Sequence, residues 1–334
     1  MTKETDTIEM KPQPFVTVLT PVYNGAKYLT ECVESVLTQT YPHWEYVIVN
    51  NCSTDSTLDI ANQFAERDRR VRVVTNAEFV DVIENHNIAF KWISPGSKYC
   101  KMVSADDWIY PECIGKMVTC AEANPSVAIV GSYAISAHGL SWAGLPVDRS
   151  VFEGREVCRL HLLGGPLVMG EPSSVLYRSD IVRAQNRFFT GPALSADVDA
   201  CYRTLQKHDY GFVHQILSFK RIHDEALSAR QQKRGAFFLD HLAFLVKHGP
   251  HFLTQEEYET EYEKLMNIFY QYLATAFVNR YDDAYRQYFK DRLEAAGIPY
   301  RRGRVIRAVL GKIMDLLLNP KSTVEKGLRR SGGP

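Results

Sequence analysis

Short β-branched apolar runs alternate with amphipathic stretches through the first part of the chain. Phe15–Thr20 predicts a buried strand. Tyr28, Leu29, Cys32, Val33, Val36 and Leu37 then recur at helical spacing until Pro42 stops the run. The cycle repeats with a strand over Trp44–Val49 and a helix over Thr57–Ala65, capped by Ser53 or Asp55. A strand over Val71–Val74, a helix over Ile83–Ile93 ended by Pro95-Gly96, and a strand over Tyr99–Val103 follow. Pro111 opens a further helix, and Val127–Val130 makes a fifth strand. Strands separated by helices of this length predict an α/β domain whose mostly parallel sheet is covered on both faces.

Beyond the Gly/Pro-containing loop Gly164–Tyr177, the pattern predicts a short strand, a helix near Asp197–Lys207 and a strand near Phe212–Phe219. From about Gly235 only helical spacing remains, rich in Phe, Tyr and Leu. The organisation expected is a lead-in over residues 1–14, a main domain over 15–228 and a helical region over 229–334.

Composition narrows the function. The 334 residues carry 39 Lys and Arg against 39 Asp and Glu, so no basic surplus points to nucleic acid. Seven cysteines without a Cys-x-x-Cys pair argue for reduced thiols, and against a disulfide framework or a zinc site. The N-terminus is polar and no apolar run is long enough to span a bilayer, so the cytosol is the expected compartment. Residues 301–334 differ, with nine cations to two acids. There Val305, Ile306, Val309, Leu310, Ile313, Met314 and Leu317 form an apolar helical stripe beside Arg307 and Lys312. That stripe suits either an interfacial helix on the anionic inner face of a membrane or a helix docked on the region before it.

The chemistry concentrates at strand ends. The fourth strand delivers Asp106 and Asp107 to the sheet rim, where α/β proteins bind ligands. Magnesium or manganese needs only one or two protein carboxylates there, because a diphosphate supplies other oxygens. Asp-Asp before a helix also makes ordinary turns and caps. Strand one ends in Thr20-Pro21-Val22-Tyr23-Asn24-Gly25, and strand two in Asn50-Asn51-Cys52-Ser53-Thr54-Asp55. The first offers backbone amides and an aromatic face for a base, the second amide side chains for base edges.

These three segments, in this order and spacing, resemble family 2 glycosyltransferases with the GT-A fold, over roughly residues 15–225. The resemblance implies an inverting transferase that takes a nucleotide-diphospho-sugar and a divalent cation, Mn²⁺ or Mg²⁺. It implies metal binding at Asp106 with Asp107 beside it, and donor contacts from Thr20, Pro21, Tyr23, Asn50, Asn51, Ser104 and Ala105. Asn87, in Asn85-His86-Asn87-Ile88-Ala89, is a candidate for orienting the nucleotide. Ser195-Ala196-Asp197-Val198-Asp199 resembles the family's Glu-Asp segment, which makes Asp197 the candidate base and Asp199 its substitute. Arg221 and His223, in Lys220-Arg221-Ile222-His223, match an Arg-x-His element: Arg221 for the departing diphosphate, His223 for the metal or a phosphate. Glu171-Pro172-Ser173-Ser174 falls where such enzymes contact the acceptor, a glycan or lipid-linked hydroxyl.

Departures from the pattern matter. Asn50 and Asn51 replace the usual acids, Cys52 a common Gly, Ser104 the first acid of the longer Asp-x-Asp form and Ala196 the Glu. An amide can pair with the uracil N–H and a neighbouring carbonyl, which tilts the expectation toward a UDP-sugar. The missing acids also keep open a non-catalytic sugar-nucleotide-binding scaffold. A nucleotide-sugar pyrophosphorylase would need a Gly-rich basic loop after strand one, and Pro21-Val22-Tyr23-Asn24-Gly25 lacks it.

Overall fold

The computed structural model describes residues 13–191, 195–223, 236–278 and 283–318. The chain divides into two compact units, residues 1–224 and 225–334. The expected boundary between 228 and 229 falls outside the described residues, as do most of the lead-in and the last cations of the tail.

In the first unit the predicted alternation forms a single sheet. Its strands are β1 (Val16–Val22), β2 (Trp44–Asn50), β3 (Val71–Thr75), β4 (Tyr99–Met102), β5 (Trp108–Ile109), β6 (Val127–Ser136), β7 (Gly139–Ser141), β8 (Val151–Phe152), β9 (Val175–Arg178) and β10 (Asp209–Phe219). The helices are α1 (Ala26–Leu37), α2 (Thr57–Arg67), α3 (Val82–Lys91), α4 (Cys113–Ala123), α5 (Gly154–Leu162), α6 (Ser179–Arg183) and α7 (Ala196–Leu205). Strand order along the sheet is β3-β2-β1-β4-β9-β6-β10-β5, with β7 on β6 and β8 on β10.

β3, β2, β1 and β4 run parallel, with Val16 level with both Trp44 and Tyr99. Their C-terminal ends therefore reach one rim together. The chain steps from β1 out to β2 and β3, then returns to place β4 on the other side of β1. Such a reversal of direction, at the carboxyl ends of parallel strands, is where ligands bind in open α/β sheets. All seven residues of β1 are buried, as expected of a strand covered on both faces.

The sheet departs from the expected pattern in its second half. β9 lies antiparallel between β4 and β6. β5 and β8 pair antiparallel with β10, which itself runs parallel to β6 with register shifts. Two- and three-residue strands such as β5, β7 and β8 are too short to show a period and leave no clear mark in the pattern.

In the second unit, α8 (Ala236–Phe252), α9 (Gln255–Val278), α10 (Asp283–Ala295) and α11 (Arg302–Leu318) are helical, as the pattern predicts. α9 packs on α8 and α11 around Leu245, Met266, Phe269, Leu273 and Val305. No described helix is long and apolar enough to cross a membrane.

Candidate active site

Two loops at the rim are laced together. Asn24 Oδ1 accepts from Thr54 N–H at 2.8 Å, Asn24 N–H donates to Ser53 Oγ at 3.0 Å, and Asp55 accepts from Ala26 N–H at 3.2 Å. Asn24 and Cys52 both have left-handed backbones, with φ of 49° and 56°. That explains why Gly is common at the Cys52 position: a side chain there is strained. Gly25 is required for space, since a Cβ would come within 2.6 Å of Val22 Cγ2 and 3.5 Å of Ala105 Cβ.

Several polar residues expected at the donor site have their hydrogen bonds committed to the scaffold. Asn51 Nδ2 donates to Val80 O at 2.8 Å, and its Oδ1 accepts from Asn76 Nδ2 at 2.9 Å and Val80 N–H at 3.1 Å. Asn50 Nδ2 reaches Thr75 Oγ1 at 3.3 Å while its Oδ1 accepts from Ser53 N–H at 3.2 Å. Asn87 pairs both ends of its amide with the Phe189 backbone, at 2.9 and 3.0 Å. Thr20 is fully buried and donates to Val103 O at 2.8 Å; Pro21 beside it is buried too. Tyr23, by contrast, is 48% exposed and its ring lies 4.7 Å from that of Phe79, itself 59% exposed. Phe79 stands in a stretch without strand or helix signal, so nothing local in the chain marks it.

At the end of β4 the two aspartates diverge. Asp107 is 5% exposed; its Oδ2 accepts from Ser173 Oγ at 2.6 Å and its Oδ1 from Arg221 N–H at 2.9 Å. Burial pushes its carboxyl up to about 8, with Glu171 and Asp106 adding repulsion. Asp106 keeps a side chain 35% exposed, and its Oδ2 meets His223 Nε2 at 3.0 Å. Arg221 donates Nε–H to the Asp106 carbonyl at 2.9 Å, pairs with Glu31, and sits 4.4 Å over the Tyr28 ring. Ser104 and Ala105 are half-buried, and Ser104 N–H donates to Ser173 Oγ at 3.0 Å.

A lysine with no role expected from the sequence braces this corner. Lys101 interrupts the apolar run of β4 and is fully buried. Its ammonium donates to the carbonyls of Ser173 at 2.5 Å and Val175 at 3.0 Å, fixing the 3₁₀ turn Pro172–Ser174 that carries the Ser173 hydroxyl. Burial lowers its pKa. The one cue was a cation inside an otherwise apolar strand.

The acids on α7 separate similarly. Asp199 is buried; its Oδ2 accepts from Thr190 Oγ1 and Arg203 Nε, each at 3.0 Å. Asp197 is half-buried and accepts from its neighbour's N–H, Val198, at 2.8 Å. Burial pushes its carboxyl up to about 6, with the Glu171 charge adding to the shift. Glu171 is raised by its own burial, which Lys220, 2.5 Å away, partly offsets. Burial works against the Lys220 charge, but the Glu171 carboxylate outweighs it and raises the ammonium.

Could this corner hold a divalent cation? Among the described residues there is no cluster of three or more His, Cys, Asp or Glu able to hold one. Asp106 and His223 nevertheless fit as a partial donor set, because a carboxylate oxygen and an imidazole nitrogen stand together on an accessible rim. His223 Nδ1 is buried with no hydrogen-bond partner among the described residues. Mg²⁺ and Mn²⁺ tolerate so few protein donors when water and phosphate oxygens complete the shell.

Residues 17–183, half of the chain, match the profile "Glycosyl transferase family 2". The chain belongs to that family. An uncharacterized glycosyltransferase of Haemophilus influenzae is 33% identical over 124 residues, 37% of this chain and 38% of that protein. The chain thus aligns with well under two thirds of that relative's length. Among solved structures, S. aureus TarS 1–349 in complex with UDP-GlcNAc superposes with a TM-score of 0.60 at 17% identity, covering 95% of this chain and 92% of that one. The mannosyltransferase PcManGT of Pyrobaculum calidifontis, in complex with GDP-Man and Mn²⁺, gives 0.54 at 16%, covering 91% and 88%. At such identities the likeness establishes the GT-A fold, a mostly parallel sheet flanked by helices, as expected from the sequence.

Proposed function

We propose that this family 2 protein transfers a sugar, with inversion, from a nucleoside-diphospho-sugar to an acceptor hydroxyl. One observation carries the reading: Asp106, which meets His223 at 3.0 Å on an accessible rim, and Asp197 both interact electrostatically with the same carboxyl, that of Glu171. A cation held by Asp106 and His223 would offset the negative charge that develops on the leaving diphosphate. Asp107 secures the strand end through Ser173 and Arg221, and Arg221 lends a fixed positive charge to the same corner.

Asp197 is the base. A carboxyl raised to about 6 is ionised at neutral pH and is still a better proton acceptor than an ordinary aspartate. It takes the acceptor hydroxyl's proton as that oxygen attacks the anomeric carbon from the face opposite the diphosphate, which inverts the configuration. Asp199, held by Thr190 and Arg203, orients the helix instead.

The Tyr23–Phe79 pair is the platform for the base. The Asn50 and Asn51 amides are engaged by the loop, so uracil is read by backbone groups and by these rings rather than by the two side chains. Uridine is the first nucleoside to test, because the TarS structure that covers 95% of the chain contains UDP-GlcNAc. Catalysis belongs to residues 15–228. Calorimetry with UDP-, GDP- and CMP-sugars, with and without Mn²⁺, tests the reading. Mn²⁺-dependent binding of a sugar nucleotide that is lost in Asp106→Ala is the expected result; binding untouched by that substitution would defeat it.

The acceptor is a glycan or lipid-linked hydroxyl, reached from a membrane surface. α11 exposes Ile306, Leu310, Ile313, Met314 and Leu317 while Val305 and Ala308 are buried, so a second apolar stripe is left open beside Arg302 and Arg307. Apolar residues flanked by cations suit anionic lipid. Salt-sensitive co-sedimentation with phosphatidylglycerol vesicles, lost in Leu310→Glu, is expected; equal pelleting with neutral vesicles would refute it.

A further inference from the structure

Two buried polar side-chain atoms of opposite character flank the same ammonium. Glu171 Oε1 is an acceptor and Trp142 Nε1 a donor, and neither has a hydrogen-bond partner among the described residues. Glu171 Oε2 pairs with Lys220 Nζ at 2.5 Å, and that nitrogen lies 5.4 Å from the Trp142 ring centroid. Folded proteins rarely leave such groups unpaired, so two together require a reason. The Trp142 backbone adds another: its φ of 67° is a left-handed conformation that a bulky side chain seldom adopts. Strain and unmet hydrogen bonds concentrate where a ligand completes the structure.

Their position decides which ligand. Glu171 opens the turn whose Ser173 hydroxyl donates to Asp107 and accepts from Ser104 N–H. Its carboxyl feels the Asp106 charge on one side and acts on Asp197 on the other. Between a diphosphate at Asp106 and a base at Asp197 must lie the anomeric carbon, and so the ring that carries it. A carboxylate acceptor, an indole donor and an aromatic face make a hydroxyl-reading surface. Lys220 neutralises Glu171, which disfavours a cationic ligand there.

We infer that Glu171 and Trp142 form the subsite for the transferred sugar: Glu171 Oε1 accepts from a ring hydroxyl and Trp142 Nε1 donates to another, with Lys220 holding the carboxylate in place. The inference rests on the donor reading above and names the part of the donor it concerns.

Calorimetry on the full chain with Mn²⁺ separates the two. The probes are UDP against UDP-glucose and UDP-N-acetylglucosamine, and GDP against GDP-mannose. Glu171→Gln is expected to weaken the bound sugar nucleotide about tenfold and Trp142→Phe about threefold, each leaving the free diphosphate within twofold. The unchanged diphosphate affinity doubles as the check that each variant is folded. If both variants keep the wild-type ratio of sugar nucleotide to free diphosphate, or lose both ligands equally, this inference is overturned and the donor reading stands. If wild-type protein binds none of the probes, both fall together.

Discussion

At the rim, the two halves of the sheet treat several candidate polar side chains in opposite ways. On the β1–β3 side, Asn50, Asn51, Asn87 and Thr20 are buried and hydrogen-bonded to their own scaffold. On the β9–β10 side, Glu171 Oε1, Trp142 Nε1 and His223 Nδ1 are buried and unmet among the described residues, and Asp107, Glu171 and Asp197 all hold protons more tightly than ordinary carboxyls. The first arrangement builds rigid loops for a flat ligand to lie on. The second keeps groups poised for something else to complete them. A polar residue at a strand end is therefore not by itself a ligand contact; what matters is whether its hydrogen bonds are already spent.

The largest expected effect tests the unmet side. Asp197→Asn should lower kcat by about 10²–10⁴-fold while sugar-nucleotide affinity stays intact. In the wild type, kcat/KM should rise between pH 5 and 7 with a midpoint near 6, as Asp197 gives up its proton, and this limb should vanish in the variant. Stability moves the other way. The fold raises this carboxyl from 3.8 to about 6, so it binds the proton more tightly than the unfolded chain does. Its contribution is fully present below pH 3.8 and is lost as pH climbs through 6, so the wild type loses stability across that window relative to Asp197→Asn. Urea titrations of both proteins at pH 5 and 7 measure the difference.

Ser173→Ala sits at the seam between the two sides. It removes the donor to Asp107 and the acceptor for Ser104 N–H, leaving both buried groups short of a partner. A loss of about 1–3 kcal/mol in urea unfolding is expected, together with weaker Mn²⁺-dependent donor binding as the Asp106 strand end loosens. Should binding weaken without any loss of stability, the hydroxyl would be a ligand contact instead of a brace.

Asn51→Ala probes the bonded side. It strands the Asn76 amide and the Val80 backbone, so stability should fall by about 1–3 kcal/mol while the preference for UDP over GDP stays unchanged. A switch in base preference would show that the amide reads the ligand after all, and the contrast between the halves would fail. The smallest effect concerns backbone alone. Cys52→Gly relieves a left-handed conformation and should stabilise the protein by up to about 1 kcal/mol, with no change in donor affinity.

Much of the architecture is legible in the chain because its cause is local. Runs such as Val16–Val22 and Trp44–Asn50 are strands through β-branched density, and the spacing of Leu29, Cys32, Val33 and Val36 makes α1 amphipathic. The order of three strand-end segments was enough to point to the family. Non-local facts were not legible: the antiparallel insertion of β9 between β4 and β6, and the pairing of β5 and β8 with β10, join segments tens of residues apart.

The site divides along the same line. Sequence alone fixed which acids and amides stand at the rim, since strand length and alternation carry them there. Only the tertiary structure decided which of them remain available. Asp106 and Asp107 are neighbours in the chain, yet one faces solvent beside His223 and the other is locked by Ser173 and Arg221. Asp197 and Asp199 part in the same way, and Lys101, Trp142 and Phe79 acquire meaning only through what folds against them. A side chain's chemistry is inherited from its own atoms, but its proton affinity and free hydrogen bonds come from neighbours that the backbone brings in from far along the chain.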